Sequence, residues 1–263
     1  MEKTVQAVYH SAEVLLKKPH FHDCHQIILI LRGNVEFCVN GTVMDARAGD
    51  VAIFSRYENH SVRVISEEYE RYILQINPDA IFQKSPVYAL LTDRPGGLCN
   101  VIKVASRVAA VAEIFRQLME EQNQSRPLAD EMEQLLVKQL LIAIYRCVDL
   151  RFDSLQDSVV IDLKRKLETN YREQHTLEGL AREYNISISS LSHRFRRMTG
   201  VSVMAYLQSC RMAHAKRMLA DMELPIGEIV ELCGFSDSSN FSRTFKRLNG
   251  MSPVAFRKRY KQE

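Results

Sequence analysis

The sequence predicts a two-domain α+β protein, in which a β-rich N-terminal domain and the helices that follow it precede an all-α C-terminal domain. Short apolar runs separated by turn residues fill the chain up to about residue 75, a long stretch without glycine comes next, and a helical repeat occupies the C-terminal part. The length of 263 residues fits two domains. We place the first domain at residues 1–150, a linker at 151–159 and the second domain at 160–263.

Turn signals define the predicted strands. Asn40 and Gly41 separate the apolar runs Val35–Val39 and Thr42–Met44. Both positions of a two-residue hairpin turn need positive φ, which Asn and Gly tolerate, so this segment is expected to be a β-hairpin. Gly49 and Asp50 then open another apolar run, which predicts a further strand.

The middle of the chain is expected to be helical throughout. From Leu98 to Glu178 there is no glycine, and the only proline, Pro127, suits the first turn of a helix. Two apolar stripes at helical spacing predict two helices within residues 104–150. The stripes are Val108, Val111, Ala112, Phe115, Leu118 and Met119, then Met132, Leu135, Leu136, Gln139, Leu140, Ala143, Ile144 and Cys147. These helices either only pack on the β-rich domain or also form a dimer seam, which their heptad-like spacing favours.

Composition excludes several classes of protein. Apolar residues make up 46% and charged residues 25%, as in globular proteins, which excludes a disordered or collagen-like chain. No apolar run approaches the roughly 20 residues of a membrane span, and the N-terminal segment lacks the features of an export signal. We therefore expect a cytoplasmic protein without membrane association, whose six widely spaced cysteines are reduced.

Charge is divided unevenly between the two domains. Residues 161–263 contain 18 basic and 11 acidic residues, a net charge of +7, whereas the rest of the chain has a net charge of −4. The C-terminal domain is therefore the part that can attract a polyanion such as nucleic acid.

An internal repeat predicts two helix-turn-helix units in the C-terminal domain. The segment Leu191–Ser202 matches Phe241–Ser252 at an offset of 50 residues. Ser187 and Ser236 are placed to cap the second helix of each unit, and Gly200 and Gly250 to end it. The large apolar residues of these second helices lie four apart and share a buried face, and the opposite face is small, polar or basic.

This composition suits a helix that enters the major groove of DNA. Small hydroxyl residues let the backbone approach the bases, while arginine and histidine reach base edges or phosphates. A protein-binding helical repeat is the alternative, but such repeats need three or more units. The helix expected from Val203 to about Asp221 joins the units and is roughly 28 Å long, comparable with the roughly 34 Å of one DNA turn.

The C-terminal domain resembles the AraC/XylS family of bacterial transcription regulators. The resemblance rests on four motifs, Leu177–Ala181, Arg211–Leu219, Ile229–Ser236 and Gly250–Arg257. Val230 stands where the family usually has alanine, so we expect a slightly displaced second unit. The resemblance implies a DNA-binding domain whose two units read adjacent major-groove segments. The expected DNA-binding residues are Ser189, Ser190, Ser192, His193, Arg196 and Arg197 in the first unit, and Ser238, Ser239, Asn240, Ser242, Arg243 and Lys246 in the second.

The N-terminal histidines resemble a cupin motif. In an extended strand, His20, His22 and Gln26 share one face, and this spacing is similar to the first cupin motif, with Gln26 in place of its acidic ligand. The segment that ends at His60 is similar to the second motif. The resemblance implies a cupin-like β-barrel in which His20, His22, Gln26 and His60 line an effector pocket. A metal site at these residues is the alternative, since imidazole binds Fe, Mn or Zn; we assign neither a metal nor another cofactor.

Two functions follow from these expectations. The first is a sequence-specific transcription regulator, an activator controlled by a small-molecule effector, which acts on promoter DNA as a homodimer and contacts RNA polymerase. It is not an enzyme. The second is a metal-dependent cupin enzyme fused to a DNA-binding domain, suggested by the histidine cluster. The sequence contains no nucleophile motif or phosphate-binding loop that indicates other chemistry.

Overall fold

The chain divides into two compact units, Met1–Leu155 and Gln156–Glu263. The computed structural model describes residues 5–12, 16–39, 41–77, 86–92, 100–124, 126–148, 157–221 and 224–260. Hairpin residue Asn40 and residues 151–156 of the predicted linker lie outside these ranges. A helix begins at Ser158, so the last two positions of the predicted linker are helical.

Two antiparallel sheets form the N-terminal unit. The strands are β1 (Val5–Ala12), β2 (Leu16–His20), β3 (His25–Arg32), β4 (Asn34–Val39), β5 (Thr42–Arg47), β6 (Asp50–Phe54), β7 (His60–Val64), β8 (Tyr69–Ile76) and β9 (Val101–Lys103). The larger sheet has the order β1-β8-β3-β6-β9 and the smaller one the order β2-β7-β4-β5. Apolar side chains from both sheets form a common core between them.

The expected β-hairpin is confirmed by the register of β4 and β5. Val39 pairs with Thr42, which leaves a two-residue turn. Gly41 in this turn has a φ of 86°, a conformation that residues with a Cβ atom rarely adopt.

Helices cover the outer face of the larger sheet. They are α1 (Ala89–Thr92), α2 (Val108–Gln124) and α3 (Ala129–Tyr145), with short 3-10 turns at Pro86–Tyr88 and Ala105–Arg107. Their buried side chains share a second core with the outward-facing residues of the larger sheet. Gln122 of α2 also accepts a hydrogen bond from Ala7 N and donates one to Val5 O, each 3.0 Å long, which ties this helix to the edge strand β1.

The expectation of an entirely helical middle segment is wrong in two respects. The segment contains β9, which pairs with β6, because a buried neighbouring strand supplies the hydrogen bonds that a short apolar run needs. The stripe expected on the second helix is also rotated. Met132 and Leu135 are 45% and 62% exposed, whereas Val137 and Leu141 are buried against the sheet.

Helices alone form the described part of the C-terminal unit. They are α4 (Ser158–Thr169), α5 (Leu177–Glu183), α6 (Ile188–Thr199), α7 (Val203–Asp221), α8 (Ile226–Leu232), α9 (Ser238–Asn249) and α10 (Pro253–Tyr260). The pairs α5–α6 and α8–α9 are the two helix-turn-helix units. The expected bounds of the joining helix α7 are confirmed.

Helix α7 is the centre of this unit. It packs against α4, α6, α8 and α10, and every side chain from Cys210 to Ala215 is buried. Met204, expected in the apolar stripe, is instead 37% exposed. It lies in the first turn of the helix, before the segment that is enclosed on all sides.

Buried Arg211 connects α7 to two other parts of the C-terminal unit. Its guanidinium donates hydrogen bonds of 2.8 Å to the carbonyl oxygens of Tyr171 and Glu173, and it lies 5.5 Å from the ring centroid of Phe235. Gly234 occupies the turn between α8 and α9 with a φ of 74°, and a Cβ atom there would lie 2.5 Å from Arg172 O. The segment after α4 and the turn of the second unit are thus held together around α7.

The described cysteines are free thiols, in agreement with the expectation of reduced cysteines. They are Cys24, Cys38, Cys147, Cys210 and Cys233, and Cys99 lies outside the described residues. Burial raises the pKa of Cys233 to about 12, which keeps this thiol protonated. Among the described residues, no helix combines the length and the apolar character that crossing a bilayer requires.

Asp157 joins the start of α4 to the first unit. Its carboxylate accepts a hydrogen bond of 3.3 Å from Val160 N, which caps α4, and it accepts two more from the guanidinium of Arg194 in α6. The side chain of Asp157 is only 7% exposed. The hydrogen bond from Arg194 is the main reason that the pKa of Asp157 lies below its usual value.

We predict that Asp157→Asn is less stable than the parent at neutral pH and that the difference narrows in acid. Because the folded-state pKa is depressed, the stabilisation from the Asp157 charge is present above about pH 4 and is lost as the pH falls further. Circular dichroism melting curves between about pH 7 and pH 3 measure this. Asp45→Asn, at an exposed position, is the control, and a difference that does not change with pH would contradict the prediction.

Candidate nucleic-acid interface and effector pocket

Helix α6 has the features expected of the recognition helix in the first unit. The Ser187 hydroxyl accepts a hydrogen bond of 3.1 Å from Ser190 N, which confirms the predicted cap. Gly200 ends the helix with a φ of 75°, as predicted. Leu191 and Phe195 are fully buried, so the opposite face of the helix points outwards.

Helix α9 repeats this arrangement with one difference. Gly250 ends it with a φ of 76°, and Phe241 and Phe245 are fully buried. The predicted cap, Ser236, is wrong. The capping residue is Asp237, whose carboxylate accepts hydrogen bonds of 3.1 Å from Ser239 N and 2.7 Å from Asn240 N. The repeat offset of 50 residues, applied to Ser187, points to Asp237.

Every expected DNA-binding side chain is accessible. In α6, Ser189, His193, Arg196 and Arg197 are exposed, and Ser190 and Ser192 are half-buried. In α9, Ser238, Ser239, Asn240, Arg243 and Lys246 are exposed, and Ser242 is half-buried. No salt bridge between described residues involves Arg196, Arg243 or Lys246. Arg243 interacts electrostatically with the capping carboxylate of Asp237 at the start of the same helix.

Other basic residues of the same helices have structural roles. Arg194 pairs with Asp157 on the flank of α6, and Arg247 in α9 donates a hydrogen bond of 3.1 Å to Gln208 of α7. Arg194 and Arg247 therefore contact other elements of the C-terminal unit, although Arg247 is itself exposed.

A small cavity with both polar and apolar lining residues lies between the two sheets of the N-terminal unit. It encloses about 20 Å³, enough for one water molecule, so a larger ligand needs side chains to move. The lining residues are His20, His22, Gln26, Ile28, Phe37, His60, Val62, Tyr69, Arg71 and Ile73.

Three histidines cluster at this cavity. One ring nitrogen from each of His20, His22 and His60 lies within 4.8 Å of the others. The centroid distances are 4.9 Å for His20–His22, 4.6 Å for His20–His60 and 5.4 Å for His22–His60. His60 stacks on Phe54 at 4.0 Å, and its Nδ1 atom lies 3.0 Å from Glu58 O. In the neutral tautomer that carries its hydrogen on Nδ1, the ring donates to this carbonyl and Nε2 is the acceptor nitrogen.

A buried arginine and tyrosine complete the polar lining. Arg71 is 6% exposed and Tyr69 is 1% exposed, and the guanidinium carbon lies 4.5 Å from the tyrosine ring centroid. The Arg71 Nη1 and Tyr69 Oη atoms are buried and have no hydrogen-bond partner among the residues that the structure describes. Burial lowers the pKa of Arg71 and raises that of Tyr69, because each charged form is poorly solvated there.

Comparison with known families agrees with this geometry. A family profile described as "AraC-like ligand binding domain" matches residues 10–141, half of the chain. The chain belongs to the AraC family. A second profile, described as "Helix-turn-helix domain", matches residues 180–259.

The matched relatives of this AraC-family chain are regulators. It is 27% identical to the HTH-type transcriptional activator RhaR of Salmonella dublin over 247 residues, which cover 90% of this chain and 86% of RhaR. RhaR of Shigella dysenteriae is also 27% identical, over 248 residues, with the same coverage. Among solved structures, ToxT from Vibrio cholerae has a TM-score of 0.64 at 13% identity, with 98% of both chains covered, and shows the same fold.

The structure brings all four expected pocket residues of this AraC-family chain to one cavity, namely His20, His22, Gln26 and His60. His20, His22 and Gln26 do not lie on one continuous strand, as the periodicity suggested. Strand β2 ends at His20 and β3 begins at His25, and β7 brings His60 opposite His20. Tyr69 and Arg71 were not expected at this cavity, although alternation along β8 places both on the inner face with Ile73.

We predict that Arg71→Met makes the ligand-free chain more stable by about 1–3 kcal/mol, because it removes a buried donor without an acceptor. Urea unfolding followed by circular dichroism measures the change. Arg47→Met, at an exposed position of β5, is expected to stay within about 0.5 kcal/mol of the parent. An Arg71→Met chain less stable than the parent would show that Arg71 has a structural role.

Proposed function

We propose that this AraC-family chain is a sequence-specific transcription activator, controlled by a small effector that binds between the two sheets of its N-terminal unit. The observation that carries the proposal is the duplicated helix-turn-helix, with two recognition helices whose basic faces are accessible. In this proposal residues 1–150 bind the effector and dimerise, residues 151–159 connect the units, and residues 160–263 bind DNA.

Both recognition helices suit the major groove for the same physical reason. Each presents serines in its first turns, where the backbone approaches the base edges, and basic residues further along. Ser189, Ser190, Ser192 and His193 in α6, with Ser238, Ser239, Asn240 and Ser242 in α9, are the proposed groove-facing residues. Arg196, Arg197, Arg243 and Lys246 supply charge for bases and phosphates.

We predict that Arg243 and Lys246 differ in their effect on DNA binding. Arg243→Ala weakens binding to a duplex selected from random sequences by about 1–3 kcal/mol and relaxes sequence preference, because arginine recognises base edges. Lys246→Ala weakens binding to the selected and to a scrambled duplex equally, and lowers the slope of log affinity against log salt by about 1, because it meets a phosphate. Fluorescence anisotropy over a salt series measures both.

Lys103→Ala, an exposed lysine in the N-terminal unit, is the matched control and should bind both duplexes as the parent does. If Arg243→Ala keeps the parent's preference for the selected duplex, the proposed role of Arg243 is wrong. If the parent shows no preference for any duplex, the proposed function is wrong.

The cavity favours an effector with an anionic group. Arg71 and Tyr69 direct buried donors towards the space that His20, His22, Gln26 and His60 also line. A carboxylate or similar oxyanion supplies the acceptor that these donors need. Such an effector regulates only if it binds one arrangement of the chain more tightly than another.

A homodimer through the exposed face of α3 completes the proposal. Leu128, Met132 and Leu135 recur at helical spacing and are 72%, 45% and 62% exposed. Leu128 also has a φ of 63°, which is unusual for a residue other than glycine. A second copy of the same helix would bury this apolar row, as in a coiled-coil seam.

We predict that Leu135→Asp converts a dimeric parent into a monomer, because it places a charge in the seam. Sedimentation equilibrium measures the mass. Gln117→Ala, at an exposed position of α2, should remain dimeric. A monomeric parent, or a dimeric Leu135→Asp chain with an unchanged association constant, would refute the seam.

Activation, location and catalysis are proposed on the same basis. The relatives that match over most of this chain are named transcriptional activators, which supports activation by contact with RNA polymerase at promoter DNA. A regulator of this kind works in the cytoplasm and needs no membrane. The relatives also favour a sensor over the alternative of a metal-dependent cupin enzyme fused to a DNA-binding domain.

A further inference from the structure

We propose that His20, His22 and His60 together bind one divalent transition-metal ion inside the effector cavity. The inference deepens the proposed function and rests on it, because it makes the metal ion part of the effector site. It also revises the expectation from the sequence, which assigned no metal.

The spacing of the three rings matches a shared ion. A metal about 2.0–2.1 Å from each coordinating nitrogen sits about 3.2 Å from each ring centroid, so ligands at 90–109° have centroids about 4.5–5.2 Å apart. The His20–His22 and His20–His60 centroid distances of 4.9 Å and 4.6 Å fall in this range, and the His22–His60 distance of 5.4 Å exceeds it slightly. Their ring nitrogens lie within 4.8 Å of one another, so modest ring rotations bring all three to one point.

The surrounding structure holds the ligands in place. His20 and His60 are directly opposite each other in the antiparallel pair β2–β7, so backbone hydrogen bonds fix their separation. His22 follows two residues after His20. Phe54 stacks on the His60 ring, and Glu58 O lies next to its Nδ1 atom. A carbonyl in this position fixes the tautomer and orients the imidazole of many metal-binding histidines.

The ligand chemistry indicates which ions fit and what the ion does. Imidazole donors suit Zn, Cu, Fe and Ni, and three histidines leave a coordination position open. Within this triad there is no carboxylate, and the neighbouring side chain in the cavity is the neutral Gln26, so the three imidazoles leave the ion's charge uncompensated. The bound ion supplies a Lewis-acidic position for an effector oxygen. Together with Arg71, it makes the cavity selective for an anion.

Cobalt(II) tests the site in the full-length chain. After removal of metals by a chelator, titration with cobalt(II) is expected to produce visible absorption bands that saturate at one ion per chain, and zinc(II) is expected to displace the cobalt. Elemental analysis of the zinc-loaded protein checks the stoichiometry. His22→Ala, which removes one of the two half-buried ligands, should weaken cobalt binding at least about tenfold. His10→Ala, an exposed histidine of β1, should bind cobalt as the parent does.

The outcomes separate this inference from the proposed function. The metal site is wrong if the parent binds no stoichiometric metal. It is also wrong if His22→Ala binds cobalt as tightly as the parent while its melting curve is unchanged. In either case the histidines only pack in the cavity. The metal-free chain is then still expected to select its preferred duplex. If the parent binds one metal ion but prefers no duplex, the metal site stands and the proposed function fails.

Discussion

The DNA-binding unit depends on the burial of one helix. Helix α7 is enclosed along its middle and contacts elements of both helix-turn-helix units. Both units therefore pack against the same helix, which determines their orientation. Arg211 strengthens this arrangement because its guanidinium satisfies two backbone carbonyls that lie outside regular hydrogen bonding. A buried charge is tolerated only where such acceptors surround it. The geometry that two recognition helices need for one duplex therefore follows from packing inside a single unit.

Buried polar groups in the N-terminal unit differ from Arg211, whose guanidinium is paired with backbone carbonyls. Between its sheets, Tyr69 and Arg71 keep donor atoms that pair with none of the described residues, and three imidazoles converge beside them. Apolar residues at these positions would give a more stable sandwich. A ligand bound between the sheets would supply acceptors for these donors, which accounts for the polar side chains there.

Local patterns in the sequence were sufficient to predict elements whose conformation depends on the residues of the segment itself. The hairpin turn at Gly41, the glycine ends of α6 and α9, and the bounds of α7 follow from backbone preferences and periodicity. The wrong predictions concern segments whose conformation or buried face depends on residues far away in the sequence. Strand β9 exists because β6 offers an open edge, and the buried face of α3 depends on how that helix lies on the sheet. At the site, Arg71 was missed because an arginine in a strand suggests a solvent-facing position until the second sheet is known.

The contact between Asp157 and Arg194 joins the start of α4 to the first recognition helix. Asp157 is the second residue of the C-terminal unit. Its partner Arg194 lies two positions before Arg196 in helix α6. Because the Asp157 side chain is only 7% exposed, the loss of Arg194 would leave a poorly solvated carboxylate beside the first recognition helix.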